Sequence, residues 1–320
     1  MAKKNTLQFK RYASLCFLTL QSSCLVLLLR YSRMERQQGV PLYIASTAVV
    51  FAETLKTMVC LACIYRDCRK WTTFTKVLSS EVFDNWVEVK RMMIPSGLYA
   101  VQNNLLFIAL SNLEAVTFQI SYQLKILSTA LFSVSLLGTR LSRNRWFSLV
   151  LLMIGVILVQ LPTTSSAPSA ESSGLERPFI GLVAVSLACL SSGFAGCYFE
   201  KMIRSGTTSM WIRNLQLGIP ALLFSLIAMV LSDGKAIMRG GLFQGYDTLT
   251  WMVILNQALS GLLVSMVVKH AGNILKSFAN SLSIIISSLI SFYLFGFQPS
   301  PLFTIGSFLV IGATLLYSRA

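Results

Sequence analysis

The sequence predicts an all-α membrane protein of ten transmembrane helices, and three observations predict it. Hydrophobic residues fill 54% of the 320 positions and charged residues only 12%, with a mean hydropathy of +0.66. A water-soluble fold of this length has too little core to hide so much apolar surface. Apolar stretches of the roughly 20 residues needed to cross about 30 Å of hydrocarbon recur along the whole chain. Short polar connections separate them, so no soluble domain is left over.

The spans fall at 12–30, 41–65, 92–110, 115–137, 146–161, 178–199, 213–232, 249–269, 274–295 and 301–318. The first follows Lys3, Lys4, Lys10 and Arg11 in the manner of a signal peptide, but no small-residue cleavage site follows and the apolar run continues to Arg30, so it reads as a retained helix. The second holds Glu53 and Lys56. In the third, Tyr99, Gln102, Asn103 and Asn104 interrupt an otherwise apolar run, and the fourth carries Lys125. After the fifth comes the one low-complexity stretch, Pro162 to Gly174, rich in Ser, Thr, Ala and Pro. This linker, 162–177, divides a single transmembrane domain, 1–320, into halves of five spans at 1–161 and 178–320. An odd number of spans per half makes a repeated unit re-enter the membrane upside down, so two inverted five-helix repeats are expected. Laying Gly138 over Gly296 gives few identities; the layout of polar starts, short connections and Ser-rich spans agrees better. Small residues crowd the sixth span (Ser191, Ser192, Gly193, Ala195, Gly196) and the later ones (Gly261, Ser265, Ser281, Ser283, Ser287, Ser288). Tight helix packing and a polar pathway both use such residues.

Ten spans put both ends on one side. With Lys56 and Lys125 set aside as intramembrane, nineteen Lys and Arg lie on the side of the ends and six on the other, Arg30, Arg33, Arg36, Arg177, Lys235 and Arg239, which orients both termini to the cytosol. The net charge of +15 follows in large part from that topology, with an anionic cargo as the sharper reading. Basic residues scattered over short loops do not make a nucleic-acid surface. The seven cysteines fall within spans or on the cytosolic side, where no disulfide framework is expected. Cys60 and Cys63 form a CxxC pair without a second pair, and the lone His270 supplies no ligand set, so packing is the reading and no metal or cofactor is expected.

Ionisable groups inside a membrane are costly and have a partner or a function. Glu53 and Lys56 share a helix face and can neutralise each other. Lys125 has Gln119, Tyr122 and Gln123 nearby but no carboxylate three or four residues away, so its counter-charge would be a ligand. Lys276 follows Asn273 near the start of the ninth span, where a free helix N-terminus suits a phosphate; snorkelling to the interface is the alternative. Glu200 beside Lys201 ends the sixth span. The amides of the third span could read a base and ribose or bond between helices. No paired carboxylate, no His with a nucleophile and no metal cluster supports an enzyme.

Tyr99 to Gln102-Asn103-Asn104, Ala109-Leu110-Ser111-Asn112-Leu113, Tyr122-Gln123-Leu124-Lys125-Ile126, Ser192-Gly193-Phe194-Ala195-Gly196 with Tyr198-Phe199-Glu200-Lys201, Trp211 with Arg213-Asn214, and Asn273-Ile274-Leu275-Lys276 occur in order over nearly the whole chain. In these the sequence resembles the Golgi nucleotide-sugar transporters, in the branch of the UDP-N-acetylglucosamine, UDP-galactose and CMP-sialic acid carriers. The resemblance implies the drug/metabolite transporter fold and exchange of a cytosolic nucleotide sugar for a lumenal nucleoside monophosphate. It implies that Lys125 and Lys276 meet phosphates, that Tyr99, Gln102, Asn103, Tyr122, Asn214 and Asn273 line the nucleotide site, and that Gly193 and Gly196 let backbone approach the ligand. Glu53, Lys56, Glu200 and Ser277 form a structural or gating set. Gly272 and Ser277 depart from the Asp and Gly usual in the branch, and Phe118 leans towards a UDP-sugar over CMP-sialic acid.

The expectation is therefore a multi-pass Golgi membrane protein that exchanges a UDP-sugar for UMP, with CMP-sialic acid/CMP exchange as the alternative. A glycosyltransferase scaffold or a membrane-embedded transferase is the rival from another class; Glu114, Asp233 and Asp247 offer the latter no working arrangement. A homodimer or an association with glycosyltransferases would be the protein partner.

Overall fold

A computed structural model describes residues 2–34, 43–161, 176–205, 208–295 and 300–319. Arg36, the linker residues 162–175 and Gly296 lie outside the described residues. Among the described residues twelve α-helices follow one another: α1 Ala2–Met34, α2 Ala45–Cys68, α3 Trp71–Leu78, α4 Trp86–Asn112, α5 Ala115–Tyr122, α6 Leu124–Leu137, α7 Arg143–Gln160, α8 Glu176–Ser205, α9 Met210–Gly240, α10 Thr248–His270, α11 Asn273–Phe295 and α12 Pro301–Arg319. Ten stretches among them are long and apolar enough to cross a membrane, as the sequence predicts, with α5 and α6 together making the fourth.

The helix starts follow from their capping residues. Ser142 accepts from the Arg145 N–H, Asp247 from Thr250 N–H at 2.7 Å and Ser300 from Phe303 N–H at 2.9 Å, each satisfying a donor that the helix leaves unpaired. At the other end of α6, Gly138 takes φ 63°, the left-handed conformation that closes a helix and suits glycine.

One connection departs from expectation. Between α2 and α4 the sequence reads as a loop, yet α3 and a π-helical turn, Ser79–Phe83, occupy it. Burial explains this: Phe74 and Val82 join Cys60, Ile64, Ile212 and Leu215 in one apolar cluster. The side chain of Gln216 on α9 donates to Glu81 O at 2.7 Å, fastening the turn.

The helices form two compact units, residues 1–100 with 202–271 and residues 101–201 with 272–320. Each takes helices from both sides of the linker. In the first unit α1 packs on α10 and α2 on α9, with Gln21 donating to Asn256 Oδ1 at 2.6 Å. In the second, α7 packs on α12 and α6 on α11, while Ala109 of α4 and Leu113 just past its end meet Ala184, Val185 and Cys189 of α8. Counted as spans, the pairs are first with eighth, second with seventh, third with sixth, fourth with ninth and fifth with tenth. A shift of five spans maps this set onto itself.

Without water to drive helices together, close approach of backbones holds such pairs. At the α7–α12 crossing a Cβ on Gly155 would fall 3.0 Å from Gly306 O, and one on Gly306 would fall 2.7 Å from Gly155 O. Gly306→Leu should therefore cost roughly 1–3 kcal/mol of overpacking. Gly312 on the same helix has nothing within 4 Å of its Cβ position, and Gly312→Leu should be tolerated. Thermal unfolding of the two detergent-solubilised variants checks this; equal midpoints would contradict it.

Candidate functional site

The fourth span is interrupted at Gln123. Around the joint, Gln123 N–H donates to Ile120 O at 3.2 Å and Ile126 N–H to Gln123 O at 3.0 Å, the tighter three-residue pattern of a 3₁₀ turn. Tightening leaves carbonyls without their α-helical donors, and in hydrocarbon these need others. The Cys189 thiol on α8 lies 3.4 Å from Tyr122 O and 3.8 Å from Ser121 O. One turn on, Ser128 Oγ donates to Cys189 O at 2.8 Å and the Cys197 thiol to Thr129 O at 3.3 Å.

Beside the joint, within the second unit, is a cavity of about 430 Å³, in the range of roughly 300–1,000 Å³ typical of small-molecule sites. From α5, α6 and the joint come Phe118, Gln119, Tyr122, Gln123, Lys125, Ile126 and Thr129; from α7, Val156 and Gln160; from α8, Ser192. Helix α11 supplies Asn273, Lys276, Ser277, Asn280, Ser281 and Ile284. Among the described residues, two ammonium groups line the cavity and no carboxylate does.

The Phe118 and Tyr122 rings stack with centroids 5.6 Å apart, and Lys125 Nζ lies 3.9 Å from the Tyr122 ring centroid. Gln123 Nε2 donates to Gln160 Oε1 at 3.2 Å. Lys125 and Lys276 are near enough to feel each other's charge, and Glu200 lies within electrostatic reach of Lys276. Asn273 Oδ1 is buried with no hydrogen-bond partner among the described residues.

Several expected residues stand in places that the sequence does not show. The N-terminus of α11 is not free: the buried carboxylate of Glu200 accepts the Asn273 N–H at 2.7 Å. An anion there satisfies an otherwise unpaired donor and meets the positive end of the helix dipole. Gly193 and Gly196 make room for protein. A Cβ on Gly193 would fall 2.8 Å from the Ser128 carbonyl carbon and one on Gly196 2.3 Å from Asn273 Nδ2, so α8 approaches α6 and the start of α11 there. Their neighbour Ser192 is the α8 residue that reaches the cavity. Gln102 is buried within reach of the Tyr122 hydroxyl, and Asn103 is exposed on α4; neither lines the cavity.

Tyr99, Asn214, Glu53 and Lys56 belong to the first unit. Asn214 donates to Met210 O at 2.9 Å and accepts from Ser265 Oγ. Glu53 and Lys56 form an ion pair, with the Lys56 stem across Gly261. Arg213 is buried against Glu88, which also receives Arg91 at 2.8 Å.

Gln119, Gln123, Thr129, Gln160, Ser192, Asn280 and Ser281 line the cavity without having been singled out as site residues. For α11 a signal existed, because positions 273, 276, 277, 280, 281 and 284 follow the three-and-four spacing of one helix face. Gln160 gave none, since one amide at the end of a span reads as interfacial. Gly272, placed where the branch usually has Asp, takes φ 92° in the two-residue turn before α11, a conformation in which any side chain is strained.

Residues 5–318 match the family described as "Nucleotide-sugar transporter". The chain is 50% identical over 309 residues to the human UDP-N-acetylglucosamine transporter and 49% to that of the rat, covering 96% of this chain and 94% of each relative. It is 46% identical to the mouse UDP-galactose translocator, over 96% of this chain and 78% of that protein. One solved crystal structure shares the fold with a TM-score of 0.66 at 14% identity, over 97% of this chain and 98% of the other.

The packing role of Gly193 separates from a ligand-facing one by experiment. Gly193→Ala should destabilise the ligand-free protein by roughly 1–3 kcal/mol, because backbone of α6 must shift. Thermal unfolding in detergent without ligand measures this; an unchanged midpoint would remove the packing assignment.

Proposed function

The chain belongs to the nucleotide-sugar transporter family, and we propose that it exchanges a UDP-sugar from the cytosol for UMP from the Golgi lumen through the cavity of its second unit. The observation that carries this reading is a cavity lined, among the described residues, by two ammonium groups, Lys125 and Lys276, and by no carboxylate. Positive charge in a low-dielectric site is stable opposite an anion, and a diphosphate supplies one of matching magnitude. Gln119, Gln123, Gln160 and Asn280 add amide groups of both polarities, suited to ribose hydroxyls and base edges. The unpaired Asn273 Oδ1 is an acceptor waiting for a ligand donor.

The relatives named for UDP-N-acetylglucosamine and UDP-galactose favour a uridine nucleotide over CMP-sialic acid. Two inverted five-span repeats would give the span pairing described above, and alternating exposure of one site is the mode of transport that such repeats serve. The cytosolic placement of both termini rests on the excess of Lys and Arg on their side. An empty cavity carries the Lys125 ammonium, which forms no ion pair among the described residues and must cross without its anion, and this favours exchange over net movement.

UMP at 100 times its Kd should stabilise the purified protein by about 2.7 kcal/mol, read as a rise in unfolding temperature. Lys125→Ala and Lys276→Ala should each abolish that rise while extracting as monodisperse protein. In reconstituted vesicles, internal UMP should accelerate uptake of labelled UDP-N-acetylglucosamine. Uptake indifferent to internal UMP, or lysine variants stabilised as the parent is, would defeat the reading.

A further inference from the structure

We infer that the ring of Tyr122 serves as an internal stand-in for the anion, covering the Lys125 ammonium whenever the cavity is empty and thereby setting how strictly exchange is coupled. The inference rests on the exchange reading above and concerns the same cavity.

The two lysines differ in what answers them. Lys276 has the Glu200 carboxylate within electrostatic reach. Lys125 forms no ion pair among the described residues; its ammonium lies 3.9 Å from the Tyr122 centroid, where the negative face of an aromatic ring attracts a cation. Phe118 stacks on Tyr122 and holds the ring in position. Phe118 and Tyr122 lie on α5 and Lys125 on α6, four and three residues apart, so ring and ammonium meet across the joint at Gln123.

A phosphate would draw Lys125 off the ring, because two anionic oxygens outbid a quadrupole. Ring and ligand therefore compete for one charge. Two consequences follow that a merely structural tyrosine would not produce. Weakening the ring raises the free energy of the empty cavity only, so UMP should bind more tightly. The empty carrier then loses its substitute counter-charge, so its return should slow relative to the loaded one.

The test is Tyr122→Phe followed by phenylalanines bearing one, two and three fluorines at the same position, which withdraw the ring's negative face with little change of shape; Tyr122→Leu removes it. UMP affinity of the purified full-length protein should rise along the series, by on the order of 3- to 30-fold from Phe to the trifluorinated ring. Uptake of labelled UDP-N-acetylglucosamine into UMP-free vesicles should fall along the series relative to UMP-loaded ones. If Tyr122→Leu does not fold, the fluorinated series decides. A parent that binds UMP with affinity flat or falling along the series overturns this inference alone; a parent that UMP does not bind overturns the exchange reading and this inference with it.

Discussion

A positive charge in hydrocarbon has to be answered, and the manner of the answer divides this molecule in two. In the first unit the answers are carboxylates: Lys56 has Glu53, and Arg213 shares Glu88 with Arg91. Such pairs contribute little net stability against their desolvation cost, but removing either partner leaves an uncompensated charge. They behave as fixed structure. In the second unit Lys125 faces an aromatic ring, and Lys276 shares the field of a carboxylate already engaged with the start of α11. Charges answered so incompletely keep attraction in hand for a mobile anion, and the polar lining between them keeps the space open to one.

The helical architecture was legible because bilayer thickness acts on sequence as a ruler. Each span is a run of apolar residues of set length, and the start of α11 at Asn273 and of α12 at Pro301 stand within a residue of expectation. The connection from 69 to 85 was not legible. Phe74 and Val82 are too few to form a period, and their burial against Ile212 and Leu215 of α9 is a tertiary fact. Which helices pair was hidden for the same reason: hydropathy marks where a span lies and says nothing of which neighbour it meets.

The cavity was half legible. Lys125 stood out because a charge without a local carboxylate is expensive, and the stripe from Asn273 to Ser281 keeps helical spacing. Gly193 and Gly196 misled, since a glycine beside a polar stretch suits an approaching ligand as well as an approaching helix, and only the positions of Ser128 and Asn273 distinguish the two. Glu200, expected in a structural or gating set, could not be matched to its partner either. Its acceptor role depends on Asn273, 73 positions away in sequence, a separation over which spacing carries no information.

The joint at Gln123 has a bearing on selectivity. Its displaced carbonyls face a sulfhydryl, a feeble donor, where an amide or hydroxyl would grip harder. A wall mended by such soft contacts yields at small expense. Discrimination between two sugars that differ in the orientation of one hydroxyl demands stiff surroundings that leave a mismatched group unpaired. Under the proposed reading, a compliant wall beside the ligand would blunt that discrimination, and choosiness among epimers would be enforced from the other sides of the chamber, where the α11 stripe and the Gln160 amide stand.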